Sequence, residues 1–155
     1  REPPHDRPEV VLADLASQHV KHHGSLLIAD DDHSAHLLLE EILKPTGIIL
    51  YRAYNGVQAF TACIEHPSIQ LILMDIRMPE MSGIEATRLI RKYRPNLPIV
   101  VYTAVSQPEY KHLMQKLNCE DFLLKPVHPD LVLSTLSRYL DPQTMVPSFP
   151  EIFLS

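Results

Sequence analysis

The 155-residue chain lacks several things. Cysteine occurs only twice, at Cys63 and Cys119, far apart and without metal-ligand spacing, which excludes a disulfide framework and a zinc site. Both are read as small apolar residues in or near the core. Basic residues are outnumbered, 14 Lys and Arg against 19 Asp and Glu, for a formal charge of -5 and a pI near 6.0. That balance argues against a nucleic-acid surface, which needs a basic face. No apolar run approaches the ~20 residues that span a bilayer, and no signal-peptide pattern opens the chain. The expectation is a cytoplasmic segment with no membrane contact. Repeats and low-complexity stretches are also missing. The first residue is Arg1 rather than methionine, so the chain is expected to be a piece of something longer.

What is present is ordinary for a globular domain: 45% hydrophobic residues and length for one sizeable core. Five short β-rich runs stand out: "SLLIA" (Ser25 to Ala29), "IILYRAY" (Ile48 to Tyr54), "LILM" (Leu71 to Met74), "PIVVYT" (Pro98 to Thr103) and "DFLL" (Asp121 to Leu124). Three are nearly continuous apolar runs, the pattern of parallel strands buried on both faces. Between and after them lie five segments of helix period, "SAHLLLEEILK", "GVQAFTACIEH", "IEATRLIRKY", "PEYKHLMQKL" and "PDLVLSTLSRYL". Regular alternation predicts an α/β fold, a doubly wound five-stranded parallel sheet flanked by five helices. Asp32 or Ser34 is placed to cap the first helix, Pro45 with Gly47 to stop it, and "YNG" at Tyr54 to Gly56 to turn the chain into the second. Pro108 and Pro129 suit first helical turns. Residues 25–140 form the predicted domain, residues 1–24 a linker or tail with a short helix, and residues 141–155 a C-terminal tail.

In an open parallel sheet, ligands bind beyond the carboxyl ends of the strands. The residues just past each strand are therefore the informative ones. The first strand is followed by Asp30, Asp31 and Asp32, the third by Asp75; the fourth ends on Thr103, and Lys125 follows the fifth. Clustered carboxylates repel unless a cation lies between them. Magnesium, a hard ion taking carboxylate and phosphate oxygens, suits such an all-oxygen site better than zinc. Asp75 has the chemistry of a nucleophile that accepts a phosphoryl group, with Lys125 neutralising charge and Thr103 donating to one oxygen.

With "IADDD", "LMDIRMPEMSG", "VVYTA" and "FLLKPV" in this order and spacing, the chain from about Ser25 to Leu140 resembles the receiver domain of two-component response regulators, a flavodoxin-like fold. The wording around "MDIRMPEMSGIEATR" is most similar to receivers of hybrid histidine kinases. The resemblance implies a phosphoacceptor in a His-to-Asp phosphorelay rather than a turnover enzyme. It assigns Asp75 as the phosphoacceptor, Asp31 and Asp75 as direct magnesium ligands, Asp30 as acting chiefly through water, and the Arg77 main-chain carbonyl as a further ligand. It places Thr103, Lys125 and the main-chain amides of Arg77 and Ala104 on the phosphoryl group. Thr103 and Phe122 fall at switch positions, Arg77 and Val105 where side chains tune phosphoryl lifetime, and Lys125-Pro126 is expected to be cis. Expected partners are a histidine kinase or histidine phosphotransfer domain and a second receiver in a homodimer, with a face around Tyr110, Phe122 and His128 to be read by a partner or by that second receiver.

Blander readings compete at several positions. Asp32 is read as a helix cap or solvated residue before a metal ligand. His33 and His36 are read as helix-surface residues without a ligand role. Pro79 and Gly83 shape the loop after Asp75. Asn118 and Cys119 replace the small residues common before strand five in such proteins, which leaves that loop's geometry open. A haloacid-dehalogenase-like phosphatase shares the aspartyl phosphate and magnesium but needs a second aspartate as general acid two residues after the first, where this chain has Arg77. A phosphorylation-independent interaction module would have lost some of the acidic or lysine positions, and none is lost.

Overall fold

The computed structural model describes residues 25–104, 108, 112 and 115–140. Five strands, β1 (Ser25–Ala29), β2 (Ile49–Ala53), β3 (Ile69–Met74), β4 (Ile99–Thr103) and β5 (Asp121–Leu124), form one sheet in the order β2-β1-β3-β4-β5, every pairing parallel. The chain winds outward from β1 to β2, then crosses back to β3 and continues the other way. The switch point therefore falls between the carboxyl ends of β1 and β3.

β1 and β4 are buried along their whole length and β3 nearly so, whereas the edge strand β2 is exposed or half-buried from Ile49 to Arg52 and buried only at Ala53. The continuous apolar runs are thus the three central strands. Successive side chains point to opposite faces, and two cores follow. Leu26, Ile28, Leu71, Leu73, Val100 and Tyr102 pack under α1 (His33–Leu43) and α4 (Pro129–Ser137). Leu27, Ala29, Ala53, Ile72 and Met74 pack under α2 (Gly56–Glu65) and α3 (Gly83–Tyr93). Burying one leucine-sized side chain contributes about 1.5–3 kcal/mol, so these two layers hold the sheet between the helices.

Local signals act as the sequence suggests. Asp32 caps α1 by accepting from the Ser34 amide at 2.9 Å, Asn55 caps α2 through the Gln58 amide at 2.8 Å, and Ser82 with Glu85 makes a reciprocal capping box on α3. Pro129 opens α4, and a 3-10 turn over Lys44–Thr46 ends α1 at Gly47, whose φ of 71° is a left-handed stop. Lys125-Pro126 is cis. Of the expected fourth helix, Pro108, His112, Gln115 and Lys116 are helical and Leu117 lies in a turn; its other residues, Tyr110 among them, and Val105 lie outside the described residues, as do both tails.

Candidate functional site at the carboxyl rim of the sheet

The two acidic strand ends are tied together by the ladder itself. The Asp75 amide donates to Ala29 O at 2.9 Å and the Asp30 amide to Ala53 O at 3.0 Å, so each carboxylate starts where its strand's pairing stops. Asp30 is 1% exposed and Asp75 7%, while Asp31 is open to solvent. One ligand oxygen from each of the three lies within 4.8 Å of the others. Asp32 turns away into its cap, and its amide donates to Asp30 Oδ1 at 2.9 Å.

Lys125 enters from the end of β5, where its amide donates to Thr103 O at 2.8 Å. Its ammonium pairs with Asp30 Oδ2 and stands 3.4 Å from Asp75 Oδ2. Burial works against the charged ammonium, but hydrogen bonding to Asp30 and the field of both carboxylates outweigh it and raise the Lys125 pKa. Burial also pushes the Asp75 carboxyl above the usual carboxylate range, opposed by Lys125, the Thr103 side chain and the Ile76 amide, and reinforced by Asp30. One cation facing two crowded carboxylates leaves this rim short of positive charge, and every donor is an oxygen. The set fits a hard divalent ion.

Around this centre, Thr103 is buried at the end of β4, Ala104 is exposed, and the Arg77 side chain is exposed at the mouth. Phe122 is half-buried on β5, packed against the Ile76 and Val101 cluster that Leu117 and Cys119 also cover. The cysteines are core-type residues: burial pushes both thiols up to about 11, against the pull of Arg94 at Cys63 and of Arg91 at Cys119.

His36 departs from its reading as a surface residue. It is fully buried and donates from Nε2 to Asp30 O at 2.8 Å. The signal was available: His36, Leu39 and Leu43 fall at i, i+3 and i+7, the buried stripe of α1, while Leu37 and Leu38 are half exposed. Tyr102 was also missed; its ring centroid lies 5.0 Å from the Lys125 ammonium, a cation–π contact. Arg91 of α3 supplies the geometry that Asn118 and Cys119 left open, donating to Leu97 O, to Leu117 O at 3.4 Å and to Asn118 O at 2.6 Å, and pairing with Glu120 at 3.0 Å. Asn118 takes the left-handed conformation at φ 60°, which asparagine tolerates well.

The chain is similar to known proteins. Residues 26–137 match the family model described as the response regulator receiver domain. The CAI-1 autoinducer sensor kinase/phosphatase CqsS of Vibrio cholerae is 33% identical over 79% of this chain and 18% of its own length. Hybrid signal transduction histidine kinase B of Dictyostelium discoideum is 32% identical over 75% of this chain and 7% of its own. The chain thus spans less than a fifth of either relative. Among solved structures, a CheY-like receiver domain protein from Methanospirillum hungatei superposes with a TM-score of 0.73 at 25% identity, covering 78% of this chain and 96% of that one. The chain belongs to the response regulator receiver domains, the phosphoacceptor modules of two-component signalling.

Proposed function

We propose that Asp75 is the phosphoacceptor and that Asp30, Asp31, Asp75 and the Arg77 carbonyl hold a magnesium ion beside it. The observation that carries this reading is the convergence of three carboxylates within 4.8 Å, two of them buried, with Lys125 against both buried ones. Bound magnesium would offset the carboxylate repulsion and the charge of an incoming phosphoryl group. The chain's own groups do the rest. Asp75 Oδ1 accepts the Ile76 amide at 2.8 Å, which orients the carboxylate and leaves Oδ2 toward Lys125. Oδ2 attacks phosphorus, the new O–P bond forms as the donor's N–P bond breaks, and the imidazole leaves with the electron pair and takes up a proton. Lys125, Thr103 and the Arg77 and Ala104 amides stabilise the equatorial oxygens.

The donor is a histidine kinase or a histidine phosphotransfer domain, in the cytoplasm, and the phosphorylated state is read through Thr103 and Phe122 by a partner or a second receiver. The slow loss of phosphate is tuned by Arg77 and Val105. A phosphatase reading gains nothing: the position of its general acid is Arg77, whose side chain is exposed and cationic. Intact-mass measurement with a small phosphoryl donor and magnesium tests the assignment. One phosphate should add to the wild-type chain and none to Asp75→Asn; equal labelling of the variant overturns it.

A further inference from the structure

The charged groups of the rim come from the ends of β1, β3 and β5, and the turn between β2 and α2 gives none. Yet that turn meets α1 on one side and the loop after Asp75 on the other. On one side the Tyr54 ring lies 4.4 Å from the ring of His36. His36 holds the Asp30 carbonyl through Nε2, while its Nδ1 is buried without a hydrogen-bond partner. An unmet polar atom at that depth is costly, and an apolar side chain would fill the same space without it. What histidine adds is the hydrogen bond to Asp30.

On the other side the Gly56 amide donates to Met81 O at 2.8 Å, so the loop after Asp75 supplies the partner for one orphan donor of α2. A Cβ on Gly56 would overlap that carbonyl oxygen. The loop depends on such support, because Glu80 sits at φ 68°, a left-handed conformation that disfavours side chains by about 1–2 kcal/mol. The turn itself is locked twice by one residue: the Gln58 amide donates to Asn55 Oδ1 and the Tyr54 amide to Gln58 Oε1, both at 2.8 Å.

We propose that Tyr54–Asn55–Gly56 braces the site, with His36 and Gly56 as positioning residues that set the spacing between the acidic end of β1 and the loop carrying Asp75. The inference rests on the reading of this rim as a magnesium site. Such sites need their ligands held to within about 0.5 Å, and second partners of ligands typically govern affinity by about 10-fold or more. Neither residue touches the phosphoryl group or the ion.

The test uses the full chain and five proteins: wild type, Gly56→Ala, His36→Phe, His36→Gln and Asp31→Ala. Magnesium affinity is measured by titration calorimetry, unfolding temperature in a chelator, and amide exchange of residues 76–82 without metal. Gly56→Ala and His36→Phe should weaken magnesium binding about 10-fold and speed exchange in residues 76–82. His36→Phe removes the unmet Nδ1 but also the donor to the Asp30 carbonyl, so the two offset and its melting temperature should stay within a few degrees of wild type. His36→Gln, which keeps a donor, should recover most of the affinity. If Gly56→Ala does not fold, His36→Phe and His36→Gln carry the comparison. Wild-type affinity and exchange in His36→Phe, with binding lost in Asp31→Ala, would overturn the brace alone. Undiminished binding in Asp31→Ala would overturn the magnesium reading beneath it.

Discussion

Lys125 stands 3.4 Å from Asp75 Oδ2 but is bonded to Asp30, so the residue placed to meet the phosphoryl group is held on the neighbouring carboxylate. Asp75 therefore carries its charge with partial compensation only, and its pKa is raised chiefly by burial. A carboxylate whose folded pKa lies above its unfolded value binds protons more tightly in the native state. Its ionisation destabilises the fold as pH climbs from the unfolded carboxylate value through the raised native one.

The first prediction follows from that sign. In a chelator, Asp75→Asn should unfold at a higher temperature than wild type at pH 7, and the gap should shrink as pH falls below the carboxylate range. Saturating magnesium should narrow the gap at neutral pH by stabilising only the wild type. Thermal melts across pH in both proteins check this; a gap independent of pH would place the effect outside Asp75 ionisation. Lys125 works in the opposite range, its raised pKa contributing stability that is complete below about 10.4 and lost as pH rises through the native value.

Two adjacent aspartates should fail differently. Asp31 has its oxygen in the three-carboxylate group, whereas Asp32 accepts the Ser34 amide as the cap of α1. Asp31→Ala should abolish most magnesium binding with little effect on stability. Asp32→Ala should cost about 1 kcal/mol of stability and leave magnesium affinity within a few-fold. Calorimetric titration and urea denaturation separate them, and the reverse pattern would mean that the acidic run is read one residue out of register.

The legible part of this site was the part that strand topology dictates. Continuous apolar runs identify β1, β3 and β4 as central, and a parallel sheet places whatever follows a strand at one rim, so Asp30, Asp75, Thr103 and Lys125 could be gathered from the sequence. Contacts between loops carry no such period. Gly56 meeting Met81, and Arg91 reaching two carbonyls before β4 and two before β5, depend on how α2 and α3 settle against the sheet. His36 was misplaced for a different reason: its polarity outweighed its position on the buried stripe, as the apolarity of Leu37 and Leu38 hid their exposure.

Arg91 should be a stability residue with reach toward β5. Its guanidinium satisfies the carbonyls of a turn that includes a left-handed Asn118, and Leu117 and Cys119 of that turn pack on the same Ile76 and Val101 cluster as Phe122. Arg91→Ala should destabilise by about 2 kcal/mol, the scale of hydrogen bonds to a charged group. Arg91→Lys should recover little, because an ammonium does not reproduce the planar fork. Urea melts give the energies, and loss of order confined to residues 117–122 should appear by amide exchange.

The last prediction concerns how completely phosphorylation switches the domain. The Thr103 side chain already bonds Asp75, so redirecting it to a phosphoryl oxygen gains at most the about 1.5–3 kcal/mol of a hydrogen bond to a charged group. Phe122 is already half-buried against Ile76 and Val101, so completing its burial adds only about half of the ~1.5–3 kcal/mol for a whole side chain. The sum, at most about 2.3–4.5 kcal/mol, falls short of the roughly 5.5 kcal/mol that moves a population from 1:99 to 99:1. If the resting domain is that strongly biased, the phosphorylated receiver alone should remain a mixture, and a partner that binds the switched face should supply the difference. With a stable phosphoryl mimic, resonances of β5 should show exchange between two states rather than one new position. Adding the partner, or a high concentration of the receiver itself, should collapse them to one. Phe122→Ala should still take phosphate on Asp75 but lose the burial share of the shift, leaving the resting state dominant. A variant that switches as fully as the parent would show that Phe122 is a core aromatic and that the coupling runs elsewhere.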